Sequence, residues 1–234
     1  MNIPKTLCSS LTGTPIEIAD IILADNMRLK NLQQVSLTTG FFSFSGLTFV
    51  KKGRFSISIP QQNMSTLYSY IVETGMWFGG LSLMPIPQPF LLINEIETVE
   101  LYYLSKQKII KLADKNPLIY KWILEMTAKN IPQWFQAPLI SFSSKQIRVI
   151  YCLATLVPLT GNKNGSIELS ITQQELSNIC GLSRPRVNEV LKNLEGENIL
   201  KNTPKKITIL NMNSIFSMLD DINLSFYDPR TKTN

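Results

Sequence analysis

The spacing of apolar residues changes character along the chain. Ile16–Asn26 places Ile18, Ala19, Ile21 and Ile22 on one side of a short helix. From about Gln33 to Leu104 the pattern becomes a series of β-like runs: Phe41–Phe44, Leu47–Val50, Arg54–Ile59, Thr66–Val72, Phe90–Ile93 and Val99–Leu104. Gly40, Gly46, Lys52-Gly53, Gln61–Asn63, Thr74-Gly75 and Pro85–Pro89 punctuate them. Many short strands with regular turns predict an antiparallel barrel or jelly roll. A helical period then returns. Asn116-Pro117 forms an N-cap and first-turn pair, and Leu118, Ile119, Trp122, Ile123 and Met126 give the next helix a wide apolar face. Such a face suits a dimer seam, or packing inside its own subunit. Pro132 and Pro138 are expected to kink or end this helix.

Ser144–Leu156 reads as a further helix, followed by the polar loop Gly161–Ser166 and a short strand near Ile167–Ile171. The stretch Thr172–Leu200 then has the pattern of a helix-turn-helix. Thr172 and Glu175 have capping-box spacing, and Leu176 and Ile179 supply an apolar stripe. Gly181 suits the sharp turn. Ser183 is a good N-cap for the second helix, with Pro185 in its first turn. Val187, Val190, Leu191 and Leu194 follow the period of a buried face. Stepping 100° per residue puts Pro185, Asn188, Glu189 and Lys192 on the opposite side, flanked by Arg184 and Arg186. Periodicity alone suits an ordinary αα-hairpin equally well. The capping box, the glycine turn and the cationic helix start together favour duplex DNA, whose base edges and phosphates those side chains can reach. Ile199–Leu200, the turn Asn202–Lys206 and the strand Ile207–Leu210 then make a hairpin, the wing of a winged helix. Lys201, Lys205 and Lys206 place charge on it. The tail Tyr227–Asn234 is expected to fray.

Composition narrows the chemistry. The chain has 234 residues, 44% hydrophobic and 17% charged, long enough for two globular domains. Residues 1–100 hold six Lys/Arg against seven Asp/Glu, whereas residues 101–234 hold seventeen against ten. The cationic excess therefore lies with the helix-turn-helix, as a phosphate partner would favour. There is no histidine, and Cys8, Cys152 and Cys180 are far apart. Zinc fingers, histidine-ligated haem, the common iron–sulfur spacings and a Ser-His-Asp triad are disfavoured or excluded. No metal or cofactor is expected, and no catalytic residues. Isolated cysteines fit a reducing cytoplasm. Met1–Ser10 lacks an apolar signal segment, and no stretch is apolar enough for a membrane span.

The order of elements, with ITQQELSNICGLSRPRVNEVLKNLEGENIL, LTFVKKGRFSI and GMWFGGLSL, resembles the Crp/Fnr family of bacterial transcription regulators over about residues 30–212. The resemblance implies an α+β chain. A cyclic-nucleotide-binding-like jelly-roll sensor over 1–115 leads to a dimerisation helix and hinge over 116–142, then a winged helix-turn-helix over 143–234. It implies a cytoplasmic homodimer on near-palindromic double-stranded DNA, with RNA polymerase a candidate partner. The dimer seam falls on Leu118, Ile119, Trp122, Ile123 and Met126. DNA-binding positions are Thr172, Gln173, Ser183, Arg184, Arg186, Asn188, Glu189, Lys192, Lys205 and Lys206.

Two departures from the family pattern bear on specificity. Where cyclic-nucleotide binders carry a ribose-holding Glu, this chain has Gly80. The basic pair that holds the cyclic phosphate falls near Phe90 and Leu91, and Glu73–Ile93 contains no Arg or Lys. A buried phosphate without a cation is costly, so the effector is not expected to be a cyclic nucleotide. Trp77, Phe78, Gly80, Leu81, Phe90 and Leu91 instead suit a small apolar effector, or a filled core with no ligand. In the reading helix, Pro185 and Glu189 replace a cytosine-reading Glu and a guanine-reading Arg, so half-sites other than TGTGA or TTGAT are expected. Two other classes compete. A cupin-like enzyme lacks its histidine ligands here, and a winged-helix protein-interaction module with a ligand-free jelly roll would account for Glu189.

Overall fold

A computed structural model describes Ile18 and residues 28–29, 46–59, 69–84, 91–157 and 165–233. Most of the helix expected over Ile16–Asn26, the run Phe41–Phe44, Pro85–Pro89, Phe90 and Cys8 lie outside the described residues. The chain divides into two compact units. One holds the described residues up to Ile57 together with Val72–Ile131, and the other holds Ser58–Ile71 and the chain from Pro132 onward.

The strands β1 (Arg28–Leu29), β2 (Gly46–Ser58), β3 (Tyr70–Glu73), β4 (Trp77–Phe78) and β5 (Leu92–Ser105) form one sheet. Its order is β1-β5-β2-β3, with β4 also on β2. Arg28 faces Tyr102 across an antiparallel pair, and Thr48 faces Phe78 across another. Leu47–Val50 and Arg54–Ile59, expected as separate strands, fall in one continuous strand that ends at Ser58. Lys52-Gly53 is not a turn: Gly53 has φ 91°, and a Cβ there would come within 2.2 Å of the Thr98 carbonyl oxygen. The glycine serves a local irregularity and close approach to β5 rather than chain reversal. Leu92, Ile93 and Val99–Leu104 likewise belong to a single strand, β5.

Helices α1 (Lys106–Ala113) and α2 (Leu118–Ser141) follow. Four of the five residues expected at a dimer seam are placed elsewhere. Ile119, Trp122, Ile123 and Met126 are buried in the chain's own core with Leu47, Phe49, Trp77, Tyr102 and Leu104. Trp122 meets Trp77 edge-on, ring centroids 5.0 Å apart and planes at 89°, and Trp77 in turn contacts Phe49 at 5.0 Å. Asn130 Nδ2 donates to the Trp77 carbonyl at 2.8 Å. The correction has a simple cause. The unit's sheet needs an apolar cover, and this face of α2 supplies it. Only Leu118 of the five remains exposed.

Neither proline ends α2, which runs its full 24 residues through Pro132 and Pro138. In the second unit Gln136 is fully buried. Its Nε2 donates to the Asn223 carbonyl at 2.9 Å, and its Oε1 accepts from the Phe226 and Tyr227 amides at 3.3 Å each. These bonds also overturn the expectation of a frayed tail. Tyr151 donates to the Tyr227 carbonyl, and Arg230 binds Asp228 and Asp220. Burial alone would raise the Asp228 carboxyl, but hydrogen bonds and charge from Arg230 outweigh it and hold the group below its ordinary value. A short 3₁₀ turn, Pro229–Thr233, closes the described chain.

The remainder of the second unit is α3 (Lys145–Leu156), β6 (Ile167–Leu169), α4 (Gln173–Cys180), α5 (Arg184–Gly196), β7 (Leu200–Thr203), β8 (Lys206–Ile209) and α6 (Met212–Ser217). The three strands form an antiparallel sheet in the order β6-β8-β7. Thus the expected helix, strand, helix-turn-helix and hairpin all occur in order. No helix among the described residues is long and apolar enough to cross a membrane.

Candidate nucleic-acid interface

The helix-turn-helix is built from local hydrogen bonds. Thr172 Oγ1 accepts from the Glu175 amide at 3.1 Å, and Glu175 Oε2 accepts from the Thr172 amide at 2.7 Å. This reciprocal capping box satisfies two otherwise orphaned donors and contributes about 1 kcal/mol. Gly181 ends α4 in the left-handed region at φ 61°.

Arg148, which the sequence reading did not single out, holds that turn from α3. Its Nε donates to the Cys180 carbonyl at 2.9 Å, and Nη2 donates to the carbonyls of Gly181, at 2.9 Å, and Cys180. A guanidinium here meets the negative end of the α4 dipole. The available signal was a single cation inside the apolar run IRVIYCLATL. Cys180 lies under the turn, fully buried, and burial followed by the neighbouring Cys152 pushes its thiol well up. It is therefore an inert packing group there.

Helix α5 divides as its periodicity requires. Val187, Val190, Leu191 and Leu194 are buried. Ser183, Arg184, Arg186, Glu189 and Lys192 are exposed, and Asn188 is half-buried. Ser183 has N-cap geometry, but its side chain makes no capping bond. Gln173 Nε2 donates to Asn188 Oδ1 at 3.2 Å, tying the start of α4 to the outward side of α5. Glu189 does not stand alone: Lys145 Nζ lies 2.6 Å from each of its carboxylate oxygens. On the hairpin, Lys205 is exposed in the turn, while the Lys206 ammonium sits 2.5 Å from Glu168 Oε1 on β6.

Of the residues named for an effector pocket, Phe90 lies outside the described residues. Trp77 and Phe78 are buried, the former against Phe49 and Trp122, the latter edge-on to Phe55 at 5.1 Å. Leu81 is exposed, and Leu91 is half-buried. A Cβ on Gly80 would come within 2.0 Å of Thr127 Oγ1 on α2. No larger side chain fits without displacing that residue.

Residues 147–215 match the family model described as the Crp-like helix-turn-helix domain. No curated protein matches the chain. Among solved structures, the chain is similar to a Crp/Fnr-family transcriptional regulator from Eubacterium rectale, at 16% identity and a TM-score of 0.64, covering 89% of this chain and 96% of that one. It is also similar to a Crp/Fnr-family regulator from Thermus thermophilus, at 17% identity and a TM-score of 0.58, covering 75% and 88%. A third is the c-di-GMP-responsive global regulator of Xanthomonas campestris, at 21% identity and a TM-score of 0.59, covering 71% and 85%. The fold is that of Crp/Fnr-type regulators.

Proposed function

We propose that this chain, which joins a Crp-like helix-turn-helix domain to the Crp/Fnr regulator fold, is a homodimeric, sequence-specific DNA-binding transcription regulator of the cytoplasm. One observation carries the reading: the outward side of α5 presents Arg184 and Arg186 in its first turn while the opposite side is wholly buried. A helix of this kind enters the major groove with its N-terminal residues at base edges. The two arginines donate to guanine or phosphate. Asn188, which accepts from Gln173, reads adenine in this scheme. Ser183, Thr172, Lys192 and Lys205 supply backbone contacts. In this scheme the jelly-roll sensor spans 1–115, the dimerisation helix and hinge 116–142 and the DNA-binding domain 143–234.

Two-fold DNA recognition needs a second copy. The buried side of α2 is unavailable, so the seam lies on its exposed side. Leu124, Ile131 and Phe135 are exposed there, and with Ala128 they follow a four-three-four spacing suited to helix–helix contact. The effector is not a cyclic nucleotide, because Thr127 crowds the position of a ribose-binding side chain and no cation lies between Glu73 and Ile93. A protein-interaction role drew support from a carboxylate facing outward on α5, and the Lys145 pairing removes that objection.

The test is binding of a fluorescent duplex bearing the selected site. Replacing both Arg184 and Arg186 by Ala is expected to weaken it about a hundredfold or more, since each bidentate base contact contributes about 1–3 kcal/mol. Unchanged affinity and an unchanged salt slope in the double variant would refute the reading.

A further inference from the structure

We propose that Lys145 is a DNA-backbone contact whose resting partner is Glu189. The inference rests on the DNA-binding reading of α5 and deepens it. Lys145 belongs to α3, outside the two helices of the motif, and is that helix's first residue after its cap Ser144. Its ammonium nonetheless lies 2.6 Å from both carboxylate oxygens of Glu189. Glu189 is exposed on the outward side of α5, three residues after Arg186 and three before Lys192, nearly one turn in each direction. A group in direct contact with that carboxylate lies at the same surface. The surface that meets a duplex therefore draws on three helices.

The pair answers an electrostatic problem. An unpaired carboxylate on this side would repel phosphate. Paired, it adds no net charge while the protein is free of DNA. Both partners are exposed, so exchange requires no deep burial of a charge. An approaching phosphate takes over the ammonium, which has three donors. The released carboxylate then accepts from the N4 amine of a cytosine in the groove. Lys145 thus contributes affinity at every sequence, and Glu189 contributes selectivity at one base pair.

A bland alternative is that Lys145 only masks Glu189. The two are separated by titrating wild type, Lys145→Met, Glu189→Gln and the double variant against the selected duplex and an unrelated one, at several salt concentrations. If Lys145 binds phosphate, the double variant binds both duplexes about tenfold more weakly than Glu189→Gln alone. Its log–log salt slope is smaller by about 0.9, the value for one lost phosphate contact. If the double variant binds as Glu189→Gln does, in affinity and slope, the proposal is overturned while the DNA-binding reading stands. Wild-type protein that binds neither duplex at low salt overturns both. Circular dichroism confirms that these exposed substitutions leave the helices intact.

Discussion

Replacing Trp122 by Ala is expected to cost the first unit about 3–5 kcal/mol, the range for removing a large aromatic from a packed core. The side chain is 8% exposed and lies among Trp77, Ile119, Ile123 and Met126. Its edge-on contact with Trp77 belongs to a chain of rings ending at Phe49 and Tyr102. Such pairs contribute beyond the area they bury. A loss of that size is a large part of a domain's typical 5–15 kcal/mol. Urea unfolding followed by tryptophan fluorescence checks it, with Trp122→Phe as the milder comparison. A Trp122→Ala protein that keeps its unfolding midpoint but falls apart into monomers would return this residue to the subunit seam.

The opposite side of α2 is expected to behave in the reverse manner. Leu124 is 64% exposed and Ile131 is 38% exposed. Replacing both by Glu removes no core atom and puts like charges across a two-fold seam. The protein should sediment as a folded monomer with a nearly unchanged unfolding midpoint. Affinity for a two-fold site should fall by about a hundredfold or more, because linking two half-site contacts raises avidity by about 10²–10⁴. A double variant that still sediments as a dimer would show that α2 is not the seam.

The contrast between these two faces marks where sequence reading works. Periodicity identifies an apolar stripe on α2, but both sides of that helix carry apolar residues. Only the three-dimensional sheet decides which side it covers. The helix-turn-helix was legible because its signals are local. Thr172 and Glu175 bond to each other, Gly181 sets its own backbone, and Val187 to Leu194 bury at their expected intervals. Gly53 misled because a glycine in a strand and a glycine in a turn share one letter; the proximity of Thr98 depends on a strand 40 or more residues away. The same limit hid Arg148 and Lys145. Each acts on a residue more than 30 positions distant, Arg148 on Cys180 and Lys145 on Glu189. The tail was misjudged for a related reason, since its anchor, Gln136, sits in α2 about 90 residues earlier.

The effector side is where family resemblance and residue chemistry part most clearly. Gly80 looked like the mere absence of a ribose ligand. A Cβ there would meet Thr127 Oγ1 on α2, so a larger residue at this position requires that side chain to move. Trp77 and Phe78 likewise spend their apolar surface on neighbouring rings.

DNA recognition is measured by selecting fragmented genomic DNA and random duplexes with purified wild-type protein, alongside the Arg184→Ala/Arg186→Ala variant. The wild-type protein should enrich a motif with two-fold symmetry, its half-sites about one helical turn apart and different from TGTGA and TTGAT. The variant should lose that enrichment. Wild-type protein that enriches no motif, or one that the variant enriches equally, would contradict the DNA-binding reading.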